Sequence, residues 1–317
     1  MPSDAQPDQP THLAHNTIDL HTHSTASDGL YPPEELVRLA HDAGLTTIAL
    51  VDHDTTGGLD AASAAGERLG VTVIPGIEVN TDLPNKQGEA HVLGYYLEYE
   101  RPAFQAVLRT LREARARRGE RMVERLRAQG LNITWERVRA LAQGAVGRPH
   151  VARALIEQGY ASDVSDAFAR YLAPGKPAYI PRYKLAPADA VRLIKSARGV
   201  PVLAHPAGIT ELRGRVLPEL VMAGLQGLEC YYGQYDTETV AGLLRLADGY
   251  GLIPTGGSDY HGPNMHPTPL GGRYVPESSL DRLRRTGEFN HKLPAPEFTL
   301  PGPAGEEHDM TKRPDPV

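Results

Sequence analysis

Seven short apolar or β-branched runs recur along the chain, and stretches with helical periodicity lie between most of them. The runs cover residues 17–21, 46–51, 71–77, 91–96, 200–204, 227–231 and 253–256. Each is brief, continuous and bounded by turn residues, as buried strands are. Residues 32–44 open with prolines and acids, place Leu36, Leu39, Ala40 and Ala43 on one face, and close on Gly44. These are the start and stop signals of a helix. Residues 56–70, 186–199 and 236–251 repeat the pattern. Such alternation predicts a parallel sheet with helical crossovers, and about seven units predict a closed barrel rather than an open sheet. No GxGxxG follows the first run, which argues against a dinucleotide-binding fold.

The ends of these runs carry an unusual set of side chains. The first ends in "IDLHTHS", and on a strand residues two apart share a face, so His21 and His23 project side by side. The second ends in "VDHD" with His53, the third in "PGIEVN" with Glu78, and the fourth carries His91 in "EAHVLGYY". The fifth ends in "AHP" with His205, and the last in "GSDYHG" with Asp259 and His261, while Asp28 follows soon after the first run. Parallel α/β barrels gather chemistry at the face where strands end, because the loops there surround a common mouth. Imidazole and carboxylate without thiolate suit Zn²⁺, Mn²⁺ or Fe²⁺. Six histidines and three acids exceed what one ion takes, so two or three divalent ions sharing a bridging carboxylate are expected. The other histidines are read as structural or exposed: His12, His15 and His308 in the tails, His41 in a helix, His266 and His291 in loops.

Composition narrows the class. The 317 residues are 40% hydrophobic and 23% charged, ordinary for a soluble globular protein. A net charge of −6 excludes a chain that coats nucleic acid through overall basicity. The lone Cys230 allows neither an intramolecular disulfide nor a thiolate zinc cluster and fits a reducing cytoplasm. No basic start followed by an apolar stretch suggests a signal peptide, and no run reaches the ~20 apolar residues of a membrane span.

One segment breaks the rhythm. Residues 101–178 hold three or four helical stretches and no convincing strand, and residues 101–143 contain eleven Arg, no Lys and four Glu. They read as a helical insertion between barrel strands, either a solvated amphipathic pair or an electropositive cap over an anionic substrate. The expected organisation is a disordered tail over 1–16, a discontinuous barrel over 17–100 and 179–294, a cap over 101–178 and a disordered tail over 295–317.

"DLHTHSTASDGLYPPEELVRLAHDAGLTTIALVDHDTTGG", "PGIEVN", "HVLGYY", "LAHP" and "GSDYH" together resemble the PHP (polymerase and histidinol phosphatase) family over about residues 17–275. The resemblance implies an α/β fold, a distorted (β/α)₇ TIM-like barrel with a metal cluster at its C-terminal face. "GRPHVARALIEQGYASDVSDAFARYLAPGKPAYIP" resembles the inserted cap of stand-alone phosphoesterases in that family. That branch acts on nucleoside 3′,5′-bisphosphates and on the 5′ ends of short RNA. By this resemblance His21, His23, Glu78 and Asp259 would hold one ion. Glu78, His91 and His205 would hold a second, and Asp28, His53 and His261 a third. Mn²⁺ is the leading choice, with Zn²⁺ or Fe²⁺ as alternatives.

Clustered ions acidify water and neutralise phosphate oxygens. In-line attack by a metal-bound hydroxide is therefore expected, with no side-chain nucleophile and with His205 a candidate general acid. Arg148, His150 and Lys176 match basic positions of the related cap and are candidates for a second phosphate. Tyr179 could stack on the base or fill a core. Asp19, Asp52 and Asp54 flank the ligands and would either hydrogen-bond their imidazoles or serve turns. A small nucleotide or short RNA is the expected partner, with no membrane and no obligate protein partner. The rival readings are a histidinol phosphatase or general phosphomonoesterase, and a non-catalytic metal-binding module. An amidohydrolase with a carboxylated lysine is disfavoured, because no Lys stands at a strand end.

Overall fold

The computed structural model describes residues 16–83, 88–142, 146–180, 184–263, 265 and 267–301. Among them are seven strands: β1 (Ile18–Thr22), β2 (Thr47–Leu50), β3 (Thr72–Asp82), β4 (Glu89–Tyr95), β5 (Val200–Leu203), β6 (Gly227–Tyr232) and β7 (Ile253–Gly257). They form one sheet in sequence order. The sheet nearly closes, because β1 meets the end of β7 through a parallel bridge between Thr22 and Tyr260. His23 N–H donates to Tyr260 O there at 2.9 Å. Gly257 permits the approach, since a Cβ on it would lie 2.5 Å from the His21 nitrogen.

The expectation of a parallel sheet needs one correction. β1–β2–β3 and β5–β6–β7 are parallel, but β4 runs antiparallel to both β3 and β5. Too few residues separate β3 from β4 for a helical crossover, so the pair is a hairpin. His91 therefore stands near the start of its strand and Glu78 within β3, while the other candidates stand at or beyond strand ends, and all reach the same mouth.

Helices α1 (Pro33–Asp42) and α2 (Leu59–Leu69) cover the first strands. Proline at its start and Glu34 and Glu35 in its first turn favour α1. Leu36 and Val37 pack with Ile48, Leu50 and Leu59 in one buried cluster. A second cluster draws on β1, β2, β3, β4, β5 and β7, with Leu20, Leu93, Tyr95, Val202 and Ala204 among its members, and so fills the barrel interior. α7 (Pro187–Ser196), α8 (Leu217–Ala223) and α9 (Thr237–Gly249) complete the outer layer, and α10 (Glu277–Lys292) closes it.

The insertion begins with α3, a single helix over Pro102–Ala128, followed by α4 (Trp135–Ala140), α5 (Arg148–Glu157) and α6 (Val164–Ala167). Phe104, Leu108 and Leu111 of α3 pack into the barrel-side core. Met122, Val123 and Leu126 pack instead with Val151, Leu155 and Leu172 in a core of the cap's own. One helix thus bolts the cap to the barrel.

Of the expected tails, residues 16 and 295–301 lie among the described residues and the rest fall outside them. Asn16 Nδ2 donates to Gly271 O and Arg273 O at 2.7 and 2.6 Å. Phe298 and Leu300 pack against the barrel-side core. His291 is also corrected: it lies in α10, its Nε2 donating to Tyr96 O at 2.6 Å. His12, His15, His266 and His308 lie outside the described residues. No described helix is long and apolar enough to cross a membrane.

Candidate metal centre

Strand directions bring all nine proposed ligands to one end of the barrel, around Glu78. This carboxylate is 1% exposed. Its Oε2 lies 3.3 Å from His21 Nε2, 3.2 Å from His23 Nε2 and 3.2 Å from His53 Nδ1. Its Oε1 lies 2.9 Å from His91 Nδ1 and 3.2 Å from His205 Nε2. Asp259 Oδ1 lies 3.2 Å from both His21 Nε2 and His23 Nε2. Asp28 faces His261 Nε2 at 3.4 Å and His53 Nε2 at 3.7 Å.

Backbone geometry aims several of these groups. Asp54, His205 and Asp259 have φ of 56°, 27° and 57°, a region that non-glycine residues occupy at some strain and that concentrates at functional sites.

Burial and charge oppose one another here. Burial would depress the His23 pKa, but Asp259 and Glu78 outweigh it and raise it to about 10. Burial would likewise depress His91, yet Glu78 and Glu89 raise it to about 9. Burial dominates at His53, which falls to about 4, with the His23 and His91 charges assisting. Burial would raise Glu78 and Asp259, but the surrounding imidazoles hold both well below the usual carboxylate range.

The donor set fits divalent cations. Among the described residues, buried His23 Nδ1 and Nε2, His53 Nδ1 and His91 Nε2 find no hydrogen bond of good geometry, a state proteins rarely tolerate unless a ligand completes it. Among the described residues, three sets have ligand atoms close enough to share an ion: His21, His23, Glu78 and Asp259; His23, Asp28, His53 and His261; and His53, Glu78 and His91. The first matches the grouping implied by resemblance. In the others His53 and His23 are shared, while His205 stands at the rim, its side chain 28% exposed.

Among the described residues, the flanking aspartates accept from backbone N–H, hydroxyl and amide groups. Asp19 accepts from Ser258 N, Ser258 Oγ and Gly271 N at 2.9, 2.5 and 2.8 Å. Asp52 accepts from Ser24 N and Oγ at 2.8 and 2.6 Å and from Ser27 Oγ at 2.6 Å. Asp54 accepts from Asn80 N and Nδ2 at 3.0 Å each.

Sequence reasoning did not single out Glu229, Tyr232, Arg112 or Arg115. Glu229 is fully buried on β6 beside His21 and His205. Tyr232 Oη donates to Asp259 Oδ2 at 2.9 Å. A cleft of about 280 Å³ runs from His53, Asp54 and Ala26 to Arg112, Arg115 and Val146. An acid inside the apolar run "GLECYY" is a readable signal. Nothing in a helix rich in arginine marks which two face the mouth.

Several other insertion arginines are staples. Arg118 Nε donates to Ile180 O at 2.7 Å, and Arg125 Nη1 to Tyr179 O at 2.6 Å. Of the proposed cap residues, Arg148 lays its guanidinium over the Phe168 ring, 5.2 Å from the centroid. His150 Nδ1 accepts from Gly147 N–H at 2.9 Å, and burial together with Arg153 and Arg115 lowers its pKa. Lys176 is exposed and Tyr179 half-buried.

A profile of the PHP domain matches residues 19–177. The chain is 34% identical over 264 residues to the 3′,5′-nucleoside bisphosphate phosphatase of Chromobacterium violaceum, covering 81% of this chain and 90% of that one. It is 38% identical over 252 residues to the 5′-3′ exoribonuclease Rnm of Salmonella typhimurium, covering 77% and 85%. A solved Bifidobacterium adolescentis protein, classed as a metal-dependent phosphoesterase, superposes with a TM-score of 0.71 at 33% identity over 85% of this chain and 96% of that one. A near-closed barrel with histidines and acids crowded at one mouth, and likeness over most of its length, make this chain a member of the PHP family.

Proposed function

We propose that the chain is a metal-dependent phosphoesterase acting on nucleotides. It would remove the 3′-phosphate of nucleoside 3′,5′-bisphosphates and release 5′-mononucleotides from short 5′-phosphorylated RNA. The observation that carries this reading is the buried Glu78 carboxylate with five imidazole nitrogens within 3.3 Å, one of them on His53, which lines the cleft that reaches Arg112 and Arg115. The printed activities of the two relatives supply the substrate class.

His21, His23, Asp28, His53, Glu78, His91, His205, Asp259 and His261 would hold two or three divalent ions, Mn²⁺ first and Zn²⁺ or Fe²⁺ as alternatives. Such ions supply Lewis acidity toward phosphate oxygens and acidify water for attack. Both reactions break a P–O3′ bond, and the leaving O3′ takes a proton. His205 is the most exposed imidazole of the cluster, which supports it as the proton donor.

Arg112 and Arg115 are suited to grip the substrate's other phosphate, because a guanidinium presents paired donors to phosphate oxygens. Burial and the neighbouring Arg109 charge depress the Arg112 pKa, a repulsion that an anion relieves. His150 is near enough to Arg115 to feel its charge, and Arg148 begins the same helix. Arg148 and Lys176 would extend the basic rim, and His150 would offer a neutral ring beside it.

The test is product formation from adenosine 3′,5′-bisphosphate with Mn²⁺, beside adenosine 3′-monophosphate, adenosine 2′-monophosphate and histidinol phosphate. Selective formation of 5′-AMP is expected. Equal rates on all four would leave a general phosphatase, and no turnover with metal bound would remove the small-phosphoester reading.

A further inference from the structure

We propose that Glu229 is a positioning residue that fixes the ring of His21 and the main chain of His205 at once. The inference rests on the metal-centre reading above and goes beyond the nine ligands. Glu229 is 0% exposed and sits on β6. Its Oε1 lies 2.8 Å from His21 Nδ1. A carboxylate only accepts, so Nδ1 carries a proton and Nε2 is the nitrogen left for an ion to take. That Nε2 is the nitrogen facing Glu78 and Asp259 at 3.3 and 3.2 Å.

The other oxygen, Oε2, accepts from the His205 backbone N–H at 2.7 Å. His205 has φ 27° and ψ 57°, left-handed geometry that a side chain with a Cβ resists. Such a backbone persists where its surroundings over-determine it. The bond to Glu229 supplies part of that hold, and Ala207 N–H donating to Tyr235 Oη at 2.9 Å supplies more. With the backbone fixed, the His205 ring meets Glu78 at 3.2 Å. Tyr232, three residues on, donates to Asp259 at 2.9 Å. β6 thus supplies none of the nine proposed ligands, yet it orients ligands from β1, β5 and β7.

The sharpest variant is Glu229→Gln in the full chain. One amide oxygen can serve His21 or His205 but not both, and the NH₂ must then face a donor. Metal-free wild type and variant are titrated with Mn²⁺ and with Zn²⁺, reading ions bound per chain and the rise in melting temperature on loading. The variant is expected to bind about 10–100-fold more weakly, as other removals of partners behind metal-bound histidines do, and to show a smaller rise. Equal affinity and equal rise, with only the metal-free melting temperature lowered, would overturn the inference and leave Glu229 a plain core acid. Should the variant not fold, imidazole ¹⁵N spectra of the Zn²⁺-loaded wild type decide. A proton on His21 Nδ1 supports the inference, and one on Nε2 overturns it. A wild-type chain that binds neither ion overturns the metal-centre reading and this inference with it.

Discussion

Glu78 stands in the middle of the candidate metal centre. Its two oxygens serve imidazoles from β1, β4 and the segments that follow β1, β2 and β5. Glu78→Gln keeps the shape and removes the charge, so the imidazoles lose the anion they surround. Metal content per chain is expected to fall below one ion and turnover by about 100-fold or more, measured by elemental analysis beside the phosphate-release assay. Arg112 tests the other end of the cleft. A hydrogen bond to a charged group is worth about 1.5–3 kcal/mol. Arg112→Ala is therefore expected to lower kcat/KM for the bisphosphate by roughly 10–100-fold, through KM more than kcat, and to leave the 3′-monophosphate nearly unaffected. An equal loss on both substrates would mean that Arg112 serves the scissile phosphate or the fold instead. At this scale the sequence was informative where chemistry and position coincide. Histidines are poor core filler, so their recurrence at the ends of apolar runs stands out. The arginine roles were hidden because a helix with many cations reveals its facing only once it is docked.

Elements carry the same lesson in a different form. The seven runs were readable because short apolar segments between turn signals have few other uses. The direction of β4 was not read, although the short connection between Asp82 and Glu89 implied it. The consequence is local: β4 enters the sheet at the face where its neighbours leave, so a ligand near its start joins ligands near their ends. The insertion was read as three or four helical stretches, and its described residues hold four α-helices, of which α3 runs unbroken for 27 residues. Its two ends serve different cores, with Leu108 toward the barrel and Leu126 in the cap. Leu126 is fully buried, and Leu126→Ala should destabilise by about 2–5 kcal/mol. Because the cap has its own core, the loss should be local. Amide exchange is expected to quicken in α4 and α5 while the barrel strands and metal binding stay as in wild type. Uniform acceleration throughout would show that cap and barrel unfold as one unit.

The whole molecule gathers several titrating groups into a volume that burial alone would keep neutral, and that sets how the metal-free chain responds to pH. An unfolded histidine titrates near ~6.5. His23 at about 10 and His91 at about 9 bind their protons more tightly when folded. Their contribution is complete below ~6.5 and is lost as pH rises through 9 to 10. His53 at about 4 has the opposite sign: its neutral form is favoured by folding, so stability falls as pH drops from ~6.5 toward 4. The depressed Glu78 and Asp259 act in the same direction at lower pH. Their contribution is present above the unfolded carboxylate range and disappears as they protonate. The metal-free chain should therefore be most stable near pH 6.5. Its melting temperature should fall on the order of 5 °C or more between pH 6.5 and 9. Divalent ions compete with the protons on His23 and His91, so affinity should rise over the same interval. The gap between loaded and metal-free melting temperatures should widen from pH 6.5 to 9, because loading replaces a proton-dependent network with one that strengthens as protons leave. Thermal melts with and without Mn²⁺ at pH 6, 7.5 and 9 measure both curves. A metal-free curve that climbs toward pH 9 would mean that these imidazoles are neutral in the fold and that the carboxylates do not hold their protons.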